Sequence, residues 1–222
     1  MKTKKLYCLS GLGADHRLYA NISYPKDYEV VPLPWIPHLP EENLEEYARR
    51  LIRHYGIEEG QVIAGVSLGG IVAGIIHDQI PQEKIIVISS ITCSLQLPSL
   101  YRLSWLLPLA EMIAGSKGHG IRPAMRFFMH PENKEEAALM SDYAQKLSPD
   151  HLFWVCRNVL AWRKEHEAEN VIRIHGTRDR VFPLRGKKCC FLIKGGGHLM
   201  VLNRSEEISR ILERVLGPDS CC

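Results

Sequence analysis

Short apolar runs stopped by glycine or proline alternate along this chain with longer segments whose apolar residues recur every three or four positions. The short runs cover residues 5–9, 28–31, 61–65, 84–89, 171–175 and 189–193. Runs of this length, apolar on both faces, read as buried strands. Residues 41–55 carry Leu44, Tyr47, Ala48, Leu51, Ile52 and Tyr55 on one stripe and stop at Gly56, the pattern of an amphipathic helix. Residues 68–79 read as a buried helix stopped by Pro81. Residues 203–216 place Ile208, Ile211, Leu212 and Val215 on one side and end at Gly217-Pro218. A short helix is expected over residues 15–20. Prolines 32, 34, 37 and 40 make the stretch after the second strand an extended connection, because each fixes φ and removes a donor.

Residues 95–169 differ. They show helical patterning without a strand, and they are rich in bulky side chains: Tyr101, Trp105, Phe127, Phe128, Phe153, Trp154 and Trp162. Strand and helix alternate on either side of them, which predicts an α/β fold with about six mostly parallel strands. Residues 1–222 then form one domain, with a helical insertion at 95–169 between the fourth and fifth strands.

Composition narrows the function classes. The chain has 222 residues, 45% hydrophobic and 24% charged, which is enough for one sizeable core. Its 28 basic and 25 acidic residues are too evenly balanced for a nucleic-acid binder. No run reaches the roughly 18–20 apolar residues that cross a bilayer, and the apolar stretch behind the basic N-terminus is too short for a signal peptide. A cytoplasmic protein with no membrane partner is expected. The seven cysteines include no C-x-x-C pair, which argues for reduced thiols and against a structural zinc site. Cys221-Cys222 resembles a prenyl-acceptor pair, but no nucleotide-binding glycine loop accompanies it.

The chemistry concentrates where strands end. Gly65-Val66-Ser67-Leu68-Gly69-Gly70 spans a strand-to-helix junction. A serine on such a tight turn needs small neighbours, and the first helical N–H groups lie beside it, where they favour developing negative charge. A serine hydroxyl attacks only when a base takes its proton, and the base needs a carboxylate to orient it. Functional groups of parallel sheets gather at the strands' carboxyl ends. There, Gly195-Gly196-Gly197-His198 follows the sixth strand and His175-Gly176-Thr177-Arg178-Asp179 follows the fifth. Ser67, Asp179 and His198 are therefore the candidate catalytic triad. Backbone N–H groups of Leu68 and of Leu12, in Ser10-Gly11-Leu12-Gly13-Ala14-Asp15, are the candidate oxyanion donors.

In these four segments, and in their Ser…Asp…His order, the sequence resembles the α/β-hydrolase superfamily along nearly its whole length. It looks in particular like small bacterial hydrolases that open with a G-L-G-A-D motif. The resemblance implies a serine hydrolase acting on a carboxylic ester or thioester of a small molecule, without metal or organic cofactor. It also implies that residues 95–169 form a helical lid. Many members begin the oxyanion loop with His-Gly where this chain has Ser10-Gly11, which weakens any transfer of substrate from them. Trp35, Trp105, Phe128 and Trp154 are candidates for a substrate pocket. A basic excess early in the lid (Arg102, Lys117, Arg122 and Arg126 against Glu111) reads as surface charge or as a site for an acidic group. Non-hydrolytic chemistry, such as lyase or carbon–carbon bond cleavage, and ligand binding without turnover both remain compatible with the fold. Natural substrate and oligomeric state are open.

Overall fold

The computed structural model describes residues 3–98, 127–168, 170–184 and 190–217. Six strands among them make one sheet: β1 (Lys4–Leu9), β2 (Tyr28–Pro32), β3 (Val62–Val66), β4 (Lys84–Ile88), β5 (Val171–Gly176) and β6 (Cys190–Ile193). Every pair is parallel, in the spatial order β2-β1-β3-β4-β5-β6. The helices are α1 (Leu44–Tyr55), α2 (Leu68–Gln79), α3 (Lys134–Lys146), α4 (Pro149–Ala161), α5 (Met200–Asn203) and α6 (Ser205–Leu216), with 3-10 turns at His16–Tyr19 and Ser94–Gln96.

The apolar runs are continuous because both faces of the sheet are covered. Tyr7, Leu9, Ile63, Ile85 and Val87 point into one cluster with Leu44, Tyr47 and Leu51 of α1 and Ile71, Val72 and Ile75 of α2. The alternate positions Leu6, Cys8, Val62, Ala64, Ile86 and Ile88 join a second cluster with Leu18, Met200, Ile208 and Leu212. Full burial of one such side chain contributes about 1.5–3 kcal/mol, so the two clusters supply most of what holds the sheet.

Two boundaries move from their expected places, each for a visible reason. The first long helix starts at Leu44, not at residue 41, because Asn43 caps it in a reciprocal pair with Glu46. Glu42 is then free to be buried before the helix, where it accepts the Leu39 N–H and pairs with Arg50. The final helix is broken at Arg204 into α5 and α6, since Arg204 leaves helical geometry at φ −129° and ψ 29°. Its guanidinium pairs there with Glu132.

The chain leaves β1 for β2 on one side and then crosses over to β3 on the other. The order reverses between β1 and β3, and the crevice outside the carboxyl ends of two such strands is where open α/β sheets bind ligands. Ser10 follows β1 and Ser67 follows β3, so two glycine-containing turns meet at that crevice.

Candidate active site

Ser67 sits between β3 and α2 at φ 54° and ψ −120°, a conformation that side chains with a Cβ rarely adopt. Three glycines make the turn possible by letting backbones touch. A Cβ on Gly65 would lie 2.2 Å from the Gly69 carbonyl oxygen, and one on Gly69 would lie 2.3 Å from that of Leu9. One on Gly70 would lie 2.4 Å from Ser90 Oγ. Hydrogen bonds lock the turn from both sides: the Ser67 N–H donates to Ile88 O (3.1 Å), and Ser67 O accepts from the Gly70 N–H (3.0 Å) and from Ser90 Oγ (2.5 Å).

The other two loops are stapled together. Thr177 N–H donates to Ile193 O (3.1 Å), and Arg178 N–H donates to Gly196 O (2.9 Å). Gly176 is packed so tightly that a Cβ there would meet Gly196 O at 2.2 Å. Gly195 takes φ 78°, which its missing Cβ permits. This pairing delivers both side chains to one place. His198 Nδ1 is 2.9 and 3.1 Å from the two carboxylate oxygens of Asp179, and its Nε2 is 2.9 Å from Ser67 Oγ. Asp179 and His198 are buried, and Ser67 is partly exposed.

The network assigns the protons. An ionised carboxylate only accepts, so His198 carries its hydrogen on Nδ1 and turns the Nε2 lone pair to the Ser67 hydroxyl. Asp179 Oδ1 also accepts the N–H groups of Val181 (2.8 Å) and Phe182 (2.9 Å). Burial works against its charge. The positive end of His198, its hydrogen bond, the Phe182 N–H and nearby His175 outweigh that, and they hold the carboxyl below its usual range.

The loop after β1 closes as a tight turn in which Ala14 N–H donates to Gly11 O (3.0 Å). Gly13, third in that turn, takes φ 69°, the value that favours glycine there. The turn's own hydrogen bond does not use the Leu12 N–H. The Leu68 N–H opens α2, where a helix has no internal acceptor for it. The loop packs on the serine, since a Cβ on Gly11 would be 3.5 Å from Ser67 Cβ.

The four pocket candidates separate. Trp35 donates its indole N–H to Gly11 O (2.9 Å), which braces the same turn. Trp154 is buried, donates to Glu42 O (2.7 Å) and lies 5.0 Å from the rings of both Tyr47 and His38, so packing accounts for it. Phe128 is exposed, edge-on to Phe127. Trp105 lies outside the described residues, as do Arg102, Glu111, Lys117, Arg122, Arg126, Cys189, Cys221 and Cys222. A cavity of about 690 Å³ opens beside the Ser10–Asp15 loop, bounded by Trp35, Ile36, Leu147, His38 and His151. Neither Ser67 nor His198 lines it.

Ser90 and His175 contribute in ways that leave no motif in the sequence. Ser90 was legible only as a polar end to a strand. His175 was legible only as part of the run leading to Asp179, and its Nε2 donates to Phe182 O at 2.7 Å behind that residue.

Nearly the whole chain superposes on solved hydrolases. A hydrolase from Oleispira antarctica matches with a TM-score of 0.75 at 13% identity, over 97% of this chain and 92% of that one. A thermophilic esterase from Thermogutta terrifontis matches at 0.72 and 14% identity, over 96% and 89%. The fold is that of the α/β hydrolases. A carboxylesterase from the thaumarchaeon Nitrososphaera gargenis extends the likeness, with a TM-score of 0.68, 16% identity, and 97% and 90% of the two chains covered. No family model and no curated protein matches the sequence. In α/β hydrolases a nucleophilic serine is presented on a sharp strand-to-helix turn at the top of the sheet.

Proposed function

We propose that this α/β-hydrolase-fold protein is a serine hydrolase that cleaves a carboxylic ester or thioester of a small molecule through an acyl-enzyme on Ser67. The observation that carries the reading is the unbroken hydrogen-bonded series Ser67–His198–Asp179 on a strained turn. His198 Nε2 takes the hydroxyl proton as Ser67 Oγ bonds to the carbonyl carbon. The oxygen that becomes negative is met by the Leu12 and Leu68 N–H groups. As the tetrahedral centre collapses, the carbon–leaving-group bond breaks and His198 returns its proton to the departing alcohol or thiol. Water then adds by the same route, giving the acid and free Ser67. Asp179 holds the imidazole in one tautomer and offsets its charge while it is protonated. Each oxyanion donor is expected to contribute about 10²–10³-fold in rate.

Ester substrates are favoured because several structural neighbours are esterases. Residues 95–169 are assigned as a lid. In the described part of that segment, Tyr143 and Asp142 reach the loop after β1, and His151 reaches His38 after β2. Glu132 and Glu136 reach Arg204 and Asn203 after β6. All three sets of contacts are made to segments that follow the carboxyl ends of strands, which supports the assignment.

The test is labelling with a fluorophosphonate, with the modified peptide mapped by mass spectrometry, beside turnover of short p-nitrophenyl esters. Wild type is expected to label on Ser67 and to hydrolyse the esters, and Ser67→Ala to do neither. A folded wild type that neither labels nor turns over would overturn the assignment.

A further inference from the structure

The last residue of the G-L-G-A-D motif has no part in the proposed chemistry, yet it is the most heavily engaged residue of its loop. Asp15 Oδ1 accepts the Arg17 N–H (3.0 Å) and Nε (2.9 Å), while Oδ2 accepts Arg17 Nη2 (2.8 Å). The same Nη2 donates to Asp142 of α3, so one guanidinium bridges the loop to that helix. Tyr143, next on α3, donates its hydroxyl to Asp15 Oδ1 (3.3 Å), and the Arg17 guanidinium lies 5.1 Å over its ring. Backbone contact continues the joint: a Cβ on Gly13 would be 3.3 Å from both Leu147 Cβ and Tyr143 O.

A turn with glycines at positions 11 and 13 does not hold its own orientation, since both residues have wide conformational freedom. Trp35 and Ser67 constrain it at Gly11. On the far side of Leu12 the constraints come from Ser10 Oγ, which donates to Ala14 O (2.9 Å), from α3 and from the Asp15–Arg17 pair. We propose that Asp15, Arg17 and Asp142 form a clip that fixes the oxyanion turn to α3, making Asp15 and Arg17 positioning residues for the Leu12 N–H. The inference rests on the hydrolase reading above. It also means that α3, which lies between β4 and β5 in the chain, braces the oxyanion site.

The clip is suited to positioning more than to stability. Arg17, Asp15 and Asp142 are each more than one-third exposed, and ion pairs at such positions contribute little to folding. Cutting it is therefore expected to spare the fold and slow the reaction. The guanidinium's planar fork engages two carboxylates at once, which a lysine does not reproduce.

The experiment measures kcat and KM on a p-nitrophenyl ester, the rate of fluorophosphonate labelling, and Ki for a phenylboronic acid, whose tetrahedral adduct engages the oxyanion donors. Arg17→Met and Asp142→Asn are expected to lower kcat and labelling about 10–100-fold, with KM within about twofold and Tm within about 4 °C of wild type, and to raise Ki by the factor lost in kcat. Arg17→Lys should recover part of the loss. Arg157→Met, which cuts an exposed pair with Glu41 on the same segment, should leave kcat unchanged. Unaltered kcat and Ki in folded Arg17→Met would overturn the clip while leaving the hydrolase reading intact. So would equal losses in kcat from Arg157→Met, or a rate loss in both Arg17 variants that merely tracks a collapse in Tm. A wild type that does not label on Ser67 would overturn both readings.

Discussion

Ser67→Gly is expected to make the protein more stable than Ser67→Ala, although both variants lose the hydroxyl. Ser67 is held at φ 54° and ψ −120° by the bonds to Ile88, Gly70 and Ser90. A residue with a Cβ in such a region stores about 1–3 kcal/mol of strain. Both substitutions give up the 2.9 Å bond to His198, worth about 1 kcal/mol, so that loss cancels between them. Alanine keeps the Cβ and its strain. Glycine removes it, but costs about 0.4–1 kcal/mol through the freer unfolded chain. The net is about 1 kcal/mol in favour of glycine, or about 2–4 °C in Tm for a domain of this size. Thermal and urea unfolding of the two variants at pH 7.5 measure it, with neither labelling by fluorophosphonate. A glycine variant melting at or below the alanine variant would refute the claim that the turn is strained in the native state.

Other expectations concern packing and charge. Gly69→Ala should fail to fold or lose more than about 4 kcal/mol, because its Cβ would sit 2.3 Å from Leu9 O and 2.5 Å from Ser10 O; a soluble, active variant with native Tm would contradict the close approach. Ser89 is buried at φ 49° with no partner for its hydroxyl among the described residues, so Ser89→Gly should raise stability by about 1–2 kcal/mol, read as a higher urea midpoint at unchanged slope. Burial and neighbouring His38 lower the pKa of His151, with Asp150 opposing. The folded state therefore resists a proton that the unfolded chain accepts: this contribution is complete above about pH 6.5 and declines as the pH falls below it. His151→Phe should flatten the loss of unfolding free energy between pH 7 and 5, and parallel slopes for variant and wild type would count against the assignment.

Much of the fold was legible because its signals are local. Six short apolar runs alternate with periodic stripes such as Leu44, Tyr47 and Leu51, and the central runs had to be covered on both faces, so the α/β class follows from spacing alone. The helix boundaries shifted where a side chain had two possible uses: Asn43 became a cap, Glu42 became Arg50's partner, and Arg204 turned outward to Glu132. Ser67, Asp179 and His198 were legible as polar residues at glycine-rich strand ends, since topology puts all such ends on one edge.

Their meeting was decided by tertiary structure. It depends on β5 and β6 being neighbours, on Gly176 touching Gly196, and on Ser90 reaching across to the serine's carbonyl. None of these contacts leaves a periodic trace. The same holds for Trp154, whose bulk in a candidate lid suited pocket lining or packing alike and whose N–H meets Glu42 O, and for Asp15, whose bridge through Arg17 to Asp142 joins positions 127 apart. Periodicity and turn chemistry are properties of neighbours in sequence, so the chain determined its own elements and their order. Which side chains share a proton, brace a turn or fill a core depends on distances that exist only after the sheet has closed, and those only the folded structure decided.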